Sequence, residues 1–97
     1  MDETTPEDYN RLVDAFTKQA AIDFRQAGRS IEQQRLACCR YFKRGKMANL
    51  STGELVDFLS ISSPSVLDMA GYSDEDAQRV VEMIGEISDD EIERVAV

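Results

Sequence analysis

The sequence contains no histidine, and its only cysteines are the neighbours Cys38 and Cys39. Without histidine the commonest general base is missing, together with the Ser-His and Cys-His nucleophile pairs and most zinc sites. Adjacent residues on a helix point about 100° apart, so a bond between two such thiols closes a strained eight-membered ring. A disulfide framework is therefore not expected, and a reducing compartment suits the chain. Long apolar runs are missing as well. None approaches the ~20 residues that cross a bilayer, and the chain opens on Asp2 and Glu3 where a secretory signal would be basic and then apolar. The expectation is a cytoplasmic protein with no membrane partner. The glycines, at 28, 45, 53, 71 and 85, follow no phosphate-cradling pattern.

What chemistry remains has a structural explanation. Arg35 and Arg40 lie close to the two cysteines in sequence and could lower a thiol pKa. Cysteine is nevertheless among the residues most often buried as a small hydrophobe, and packing is the expected role. Asp74-Glu75-Asp76 and Asp89-Asp90-Glu91 invite a carboxylate metal site. Both triplets fall in predicted first helical turns, where acids stabilise the helix dipole by about 0.3–1 kcal/mol with no ion present. The reading is of a protein that is not an enzyme, with no catalytic residue, no cofactor and no metal.

At 97 residues, 42% hydrophobic and 31% charged, the chain has the composition of an ordinary globular protein and the length of one helical domain spanning 1–97. Its net charge of −8 is unevenly spread. Residues 1–24 carry six acids against Arg11 and Lys18, and residues 47–97 carry twelve against Arg79 and Arg94. Between them, residues 25–46 carry seven cations against Glu32 alone. A basic helix packed beside acidic ones lowers its own Coulomb energy without any ligand, so this island does not by itself announce a binding site.

Helix starts are punctuated by caps. Thr5-Pro6-Glu7-Asp8 offers a capping hydroxyl, a proline at the first helical position and acids in the first turn. Tyr9, Leu12, Val13, Phe16, Ala20, Phe24 and Ala27 then recur at steps of three and four up to Gly28, which predicts a long amphipathic helix. Ser30 opens a second helix, which is the basic island and is expected to stop at Gly45. Leu50-Ser51-Thr52-Gly53-Glu54-Leu55 combines a capping box with a hydrophobic staple and starts a third helix, running to about Ser60. Ser63-Pro64 predicts a short fourth helix closed by Gly71, Ser73 a fifth, and Ser88 to Glu91 a sixth with its own capping box. The fold expected is all-α, a compact bundle of five or six helices whose first two are an antiparallel pair. Its expected core is Leu12, Val13, Phe16, Leu36, Leu55, Leu59, Val66, Val80, Val81 and Ile84.

The apolar residues Leu55, Val56, Leu59, Ile61, Val66 and Met69, with the turn Ser60-Ile61-Ser62, form a segment that resembles the helix-turn-helix of transcription regulators, over about residues 52–70. The resemblance implies a second helix, Pro64 to Ala70, laid in the major groove of DNA. That helix offers Ser63, Ser65 and Asp68 but no Arg, Lys, Asn or Gln, and its surroundings are acidic. Phosphate contacts would have to come from the basic second helix.

Two functional classes follow. The favoured one is a non-catalytic protein-binding module, an inhibitor, anti-activator or adaptor that masks a surface of a regulatory or nucleic-acid-handling protein. The patch expected to contact the partner is Arg35, Arg40, Tyr41, Phe42, Arg44 and Met47, rich in the residue types favoured at interface cores. The acidic carboxyl-terminal third is a second candidate surface, and a homodimer is compatible with either. The alternative class is a helix-turn-helix-like DNA-binding regulator.

Overall fold

A computed structural model describes residues 6–97, so the expected Thr5 cap lies outside the described residues. Helix α1 (Pro6–Ala27) is followed by α2 (Ile31–Met47), α3 (Thr52–Val56), α4 (Val66–Met69), α5 (Asp74–Ile84) and α6 (Asp89–Arg94). Among the described residues there is no strand.

Helix α1 carries Glu7 and Asp8 in its first turn and Arg25 in its last, each favourable to the dipole. Its inner face buries Ala20, Ala21, Phe24 and Ala27. Gly28, at φ 56°, takes the left-handed conformation that lets the chain reverse, and its N–H reaches back to the carbonyls of Phe24 and Arg25. The exposed carbonyls of this helix end are satisfied from elsewhere. The Tyr72 hydroxyl donates to Phe24 O at 2.8 Å, and the buried Gln34 amide donates to Gly28 O at 2.7 Å. Helix α2 then returns along α1.

Gly45 does not end α2. It is buried inside the helix where Leu55 of α3 crosses, and an added Cβ would overlap both Leu55 methyl groups, so its role is close approach. The helix closes two residues later. Asn49 adopts φ 62°, its N–H donates to Lys46 O, and the N–H of Leu50 reaches Gly45 O at 2.9 Å, which completes a Schellman motif with asparagine in the usual glycine position.

The capping box at α3 forms as expected, Ser51 Oγ accepting from the Glu54 N–H and Glu54 returning to the Ser51 N–H. From Asp57 to Ile61 the helix widens, and Ser62 N–H bonds Asp57 O five residues back at 2.8 Å. Helix α4 starts two residues later than expected. Its cap is Ser65, buried and boxed with Asp68, while Pro64 precedes it with a cis peptide bond to Ser63. Gly71, at φ 85°, closes α4 in a second Schellman motif. Ser73 and Ser88 cap α5 and α6.

Leu55, Leu59, Val66 and Val80 are fully buried, and Val13, Phe16, Val81 and Ile84 are half-buried around them. Leu12 and Leu36, expected in the core, are instead 40% and 38% exposed. Their places are taken by Phe24, Cys38, Tyr41, Phe42 and Leu67. The radius of gyration, 13.1 Å, is close to the ~13 Å of a compact domain of this length. Among the described residues every buried side-chain nitrogen and oxygen has a hydrogen-bond partner.

Candidate functional site

The basic island is largely consumed within the fold. Arg35 forks onto Glu91 of α6 through Nε at 2.5 Å and Nη2 at 2.7 Å, which pulls the Glu91 carboxyl below its ordinary range. Lys43 Nζ donates to the carbonyls of Glu93 and Val95, both at 2.8 Å, and so caps the end of α6. Lys46 lies 3.7 Å from Asp89. Toward α1, Arg44 Nη1 pairs with Asp23 at 2.8 Å, and Arg25 Nη2 donates to Met69 O at 2.6 Å. The side chains of Arg29 and Arg40 have no hydrogen bond or ion pair among the described residues.

Tyr41 and Phe42, expected on the partner-binding patch, are core residues at 2% and 4% exposure. Tyr41 stacks on Phe16 with ring centroids 5.1 Å apart, meets Phe24 and Phe42 edge-on, and donates its hydroxyl to Leu55 O. Neither ring stands out from the surface as an exposed anchor. Of the six patch residues, Met47 is exposed, Arg40 is half-buried and unpaired, and Arg35 and Arg44 hold helices together. The pattern of α2 hid this because its apolar residues occupy more than one stripe.

The surroundings of both thiols favour the neutral form. Burial pushes Cys38 up to about 12. Cys39 is also raised, first by burial and then by the Glu91 carboxylate, which outweigh Arg35. Among the described residues no three His, Cys, Asp or Glu side chains gather as a metal site. In α6 the acid expected to close the capping box, Glu91, turns to Arg35, so only the Ser88 half of the box forms.

The helix-turn-helix-like pair exists, but its second helix is a single turn. Val66 and Leu67 are fully buried, and the Ser65 hydroxyl is spent on the Asp68 N–H. The side of this turn that remains outside offers Asp68 and, before it, Ser63.

An exposed row with apolar members lies elsewhere, on the outward side of α1. Leu12, Ala15, Gln19 and Ile22, spaced 3, 4 and 3 residues apart, are all exposed, Ile22 at 47%. They run opposite the buried Ala20, Ala21 and Phe24, so α1 is apolar on two faces. Beside them a groove of about 290 Å³ opens between α1 and α2. Leu12, Ala15, Phe16 and Gln19 of α1 line it together with Tyr41 and Arg44 of α2, and Arg44 pairs with Asp23 in the same lining. The sequence signal was present: Leu12 and Ile22 sit in helical register with each other but on a different face from Phe24. Compared with known proteins, the chain matches no family model, no curated protein and no solved structure.

Proposed function

We propose that the protein is a non-catalytic binding module that engages another protein through the outward face of α1 and the adjoining α1–α2 groove, and acts by masking the surface it covers, as an inhibitor, anti-activator or adaptor of a regulatory or nucleic-acid-handling protein would. The observation that carries the reading is the exposed Leu12–Ile22 seam beside an apolar groove. Scattered surface leucines need no explanation, but apolar side chains aligned along one helix face next to a cleft are what interfaces use. The absence of histidine, the commonest general base, fits a protein whose work is contact.

The test is a double variant, Leu12→Asp with Ile22→Asp. Both side chains are exposed, so stability should change by no more than about 1 kcal/mol. Proteins captured by the wild-type chain, identified by mass spectrometry and re-examined as purified pairs, should lose binding to the variant. Retention of the same partners at the same affinity would move the site off this face.

A further inference from the structure

We propose that α6 is a displaceable strap lying in a docking groove of α2, and that the groove takes, in place of α6, a short acidic helical segment of another protein. The groove is on a different face of α2 from Tyr41 and Arg44, which meet α1, so the inference stands apart from the α1 reading above. Arg35, Cys39, Phe42 and Lys46 recur at steps of four, three and four, which sets them along one face of α2. This stripe is cationic at its ends and apolar in its middle. Helix α6 matches it. Glu91 takes the Arg35 fork, Asp89 lies 3.7 Å from Lys46, and Ile92 lines a small cavity together with Phe42. Lys43, beside the stripe, binds the carbonyls of Glu93 and Val95.

The strap is lightly held. Ile92 alone of the six residues of α6 is buried. Among the described residues, the hydrogen bonds and ion pairs that tie α6 to other helices all run to α2. The Arg35–Glu91 pair keeps about a third of each side chain in water and so contributes little. Packing around α6 is also incomplete: a groove of about 350 Å³ opens beside Leu36, Cys39 and Val95, and a cavity of about 130 Å³ lies among Phe42, Ile84 and Ile92. A segment with few buried apolar contacts and water-exposed ties opens locally before the rest of a domain. Its departure uncovers Cys39 and Phe42, beside Leu36, between the cations Arg35 and Lys46, a combination of types that interfaces use.

The chemistry of the replacement is set by what lies there already. Asp89 and Glu91 stand three residues and one residue before Ile92, so the occupant is a helical turn with acids in those places before a branched apolar side chain. Such a segment leaves Arg35, Lys43 and Lys46 paired, whereas a basic one sets like charge against all three. Because α6 belongs to the same chain, it competes at an effective concentration on the order of millimolar. An outside segment therefore binds only the open fraction, and its apparent affinity falls by that fraction.

The experiment uses the full chain and a fluorescent peptide copy of its residues 86–97, read by anisotropy. Glu91→Gln in the chain weakens the strap and leaves the groove, so this variant should bind the peptide about fivefold or more tighter than the wild type does. Arg35→Glu with Lys46→Glu also frees α6 but spoils the groove, and should bind no peptide; circular dichroism confirms that each variant is folded. The peptide carrying Ile92→Asp should bind none of these chains. In the wild-type chain itself, hydrogen exchange should find the Ile92 and Glu93 amides at least about tenfold less protected than those of Cys39 and Phe42. Equal peptide affinity for the wild type and Glu91→Gln would overturn the proposal. So would binding that survives the double reversal or the altered peptide, or α6 amides as protected as those of α2.

Discussion

Toward α1, helix α2 presents Tyr41, and the contact closes on aromatic rings: Phe16 stacks on Tyr41, and Phe24 meets Tyr41 and Tyr72 edge to face. Toward α6 it presents Arg35, Lys43 and Lys46, and the contact closes on a carboxylate fork, two helix-end carbonyls and one loose ion pair around Ile92. Buried aromatic pairs contribute about 0.5–1.5 kcal/mol each beyond their apolar area and are indifferent to salt. Ion pairs that keep about a third of each side chain in water contribute little and are screened. One helix is therefore packed firmly on one side and tethered on the other. The difference also explains why the island's cations, so conspicuous in the sequence, make a poor docking patch: three of the seven, Arg35, Lys43 and Lys46, hold the bundle's last helix, and Arg25 and Arg44 are spent on Met69 O and Asp23.

The sharpest way to break the comparison is to strike the aromatic side. Phe24 is fully buried between α1, Tyr41 and Tyr72, and Phe24→Ala should cost about 3–5 kcal/mol in urea unfolding. For a domain of this size that can exceed half of the total stability. A loss under about 1 kcal/mol would mean that the rings do not carry the α1–α2 contact.

A smaller effect isolates the polar side of the same cluster. Tyr41→Phe keeps the stack on Phe16 but removes the donor to Leu55 O, just before the helix widens at Asp57. Leaving that buried carbonyl without its side-chain partner should cost about 1–2 kcal/mol. If the variant is as stable as the wild type, the hydroxyl bond adds nothing to the packing.

The fold was legible where local chemistry decides it. Serine caps at 30, 51, 73 and 88 satisfy the backbone N–H three residues on, whatever surrounds them, and helix starts could be read from them alone. Gly45 misled because a glycine can serve a helix end or a close crossing, and only the approach of Leu55 distinguishes the two. Ser63-Pro64 misled for a similar reason: the next serine, Ser65, is held by Asp68 and takes the cap. The site was less legible. Tyr41 and Phe42 have the residue types of an interface core, which are also those of a protein core, and burial is a tertiary property. Leu12 reads as inward in the sequence because α1 carries two apolar faces, and a pattern of threes and fours does not say which one the rest of the chain covers.

The last and smallest expected effect concerns the tethered side. Arg35 holds the Glu91 carboxyl below its ordinary value of 4.5, so this pair's contribution is complete above that pH in the folded protein and is lost as pH falls through the depressed value. Raising salt to 1 M shrinks the screening length to about 3 Å and weakens the same tether at neutral pH. The Cys39 thiol, 3.8 Å from Glu91 and buried in the α2–α6 contact, reports on it directly, whereas Cys38 lies deeper, pushed up to about 12 by burial. With a thiol-reactive aromatic disulfide at pH 8, Cys39 should react faster in 1 M salt than in 0.1 M salt, and Cys38 should not. Glu91→Gln should make Cys39 fast at both salt concentrations while leaving the Ser88 cap, which uses only the residue 91 N–H, in place. Equal acceleration of both cysteines would mean that salt opens the whole bundle, and no acceleration of Cys39 would mean that Ile92 and its apolar neighbours, not charge, keep α6 in place.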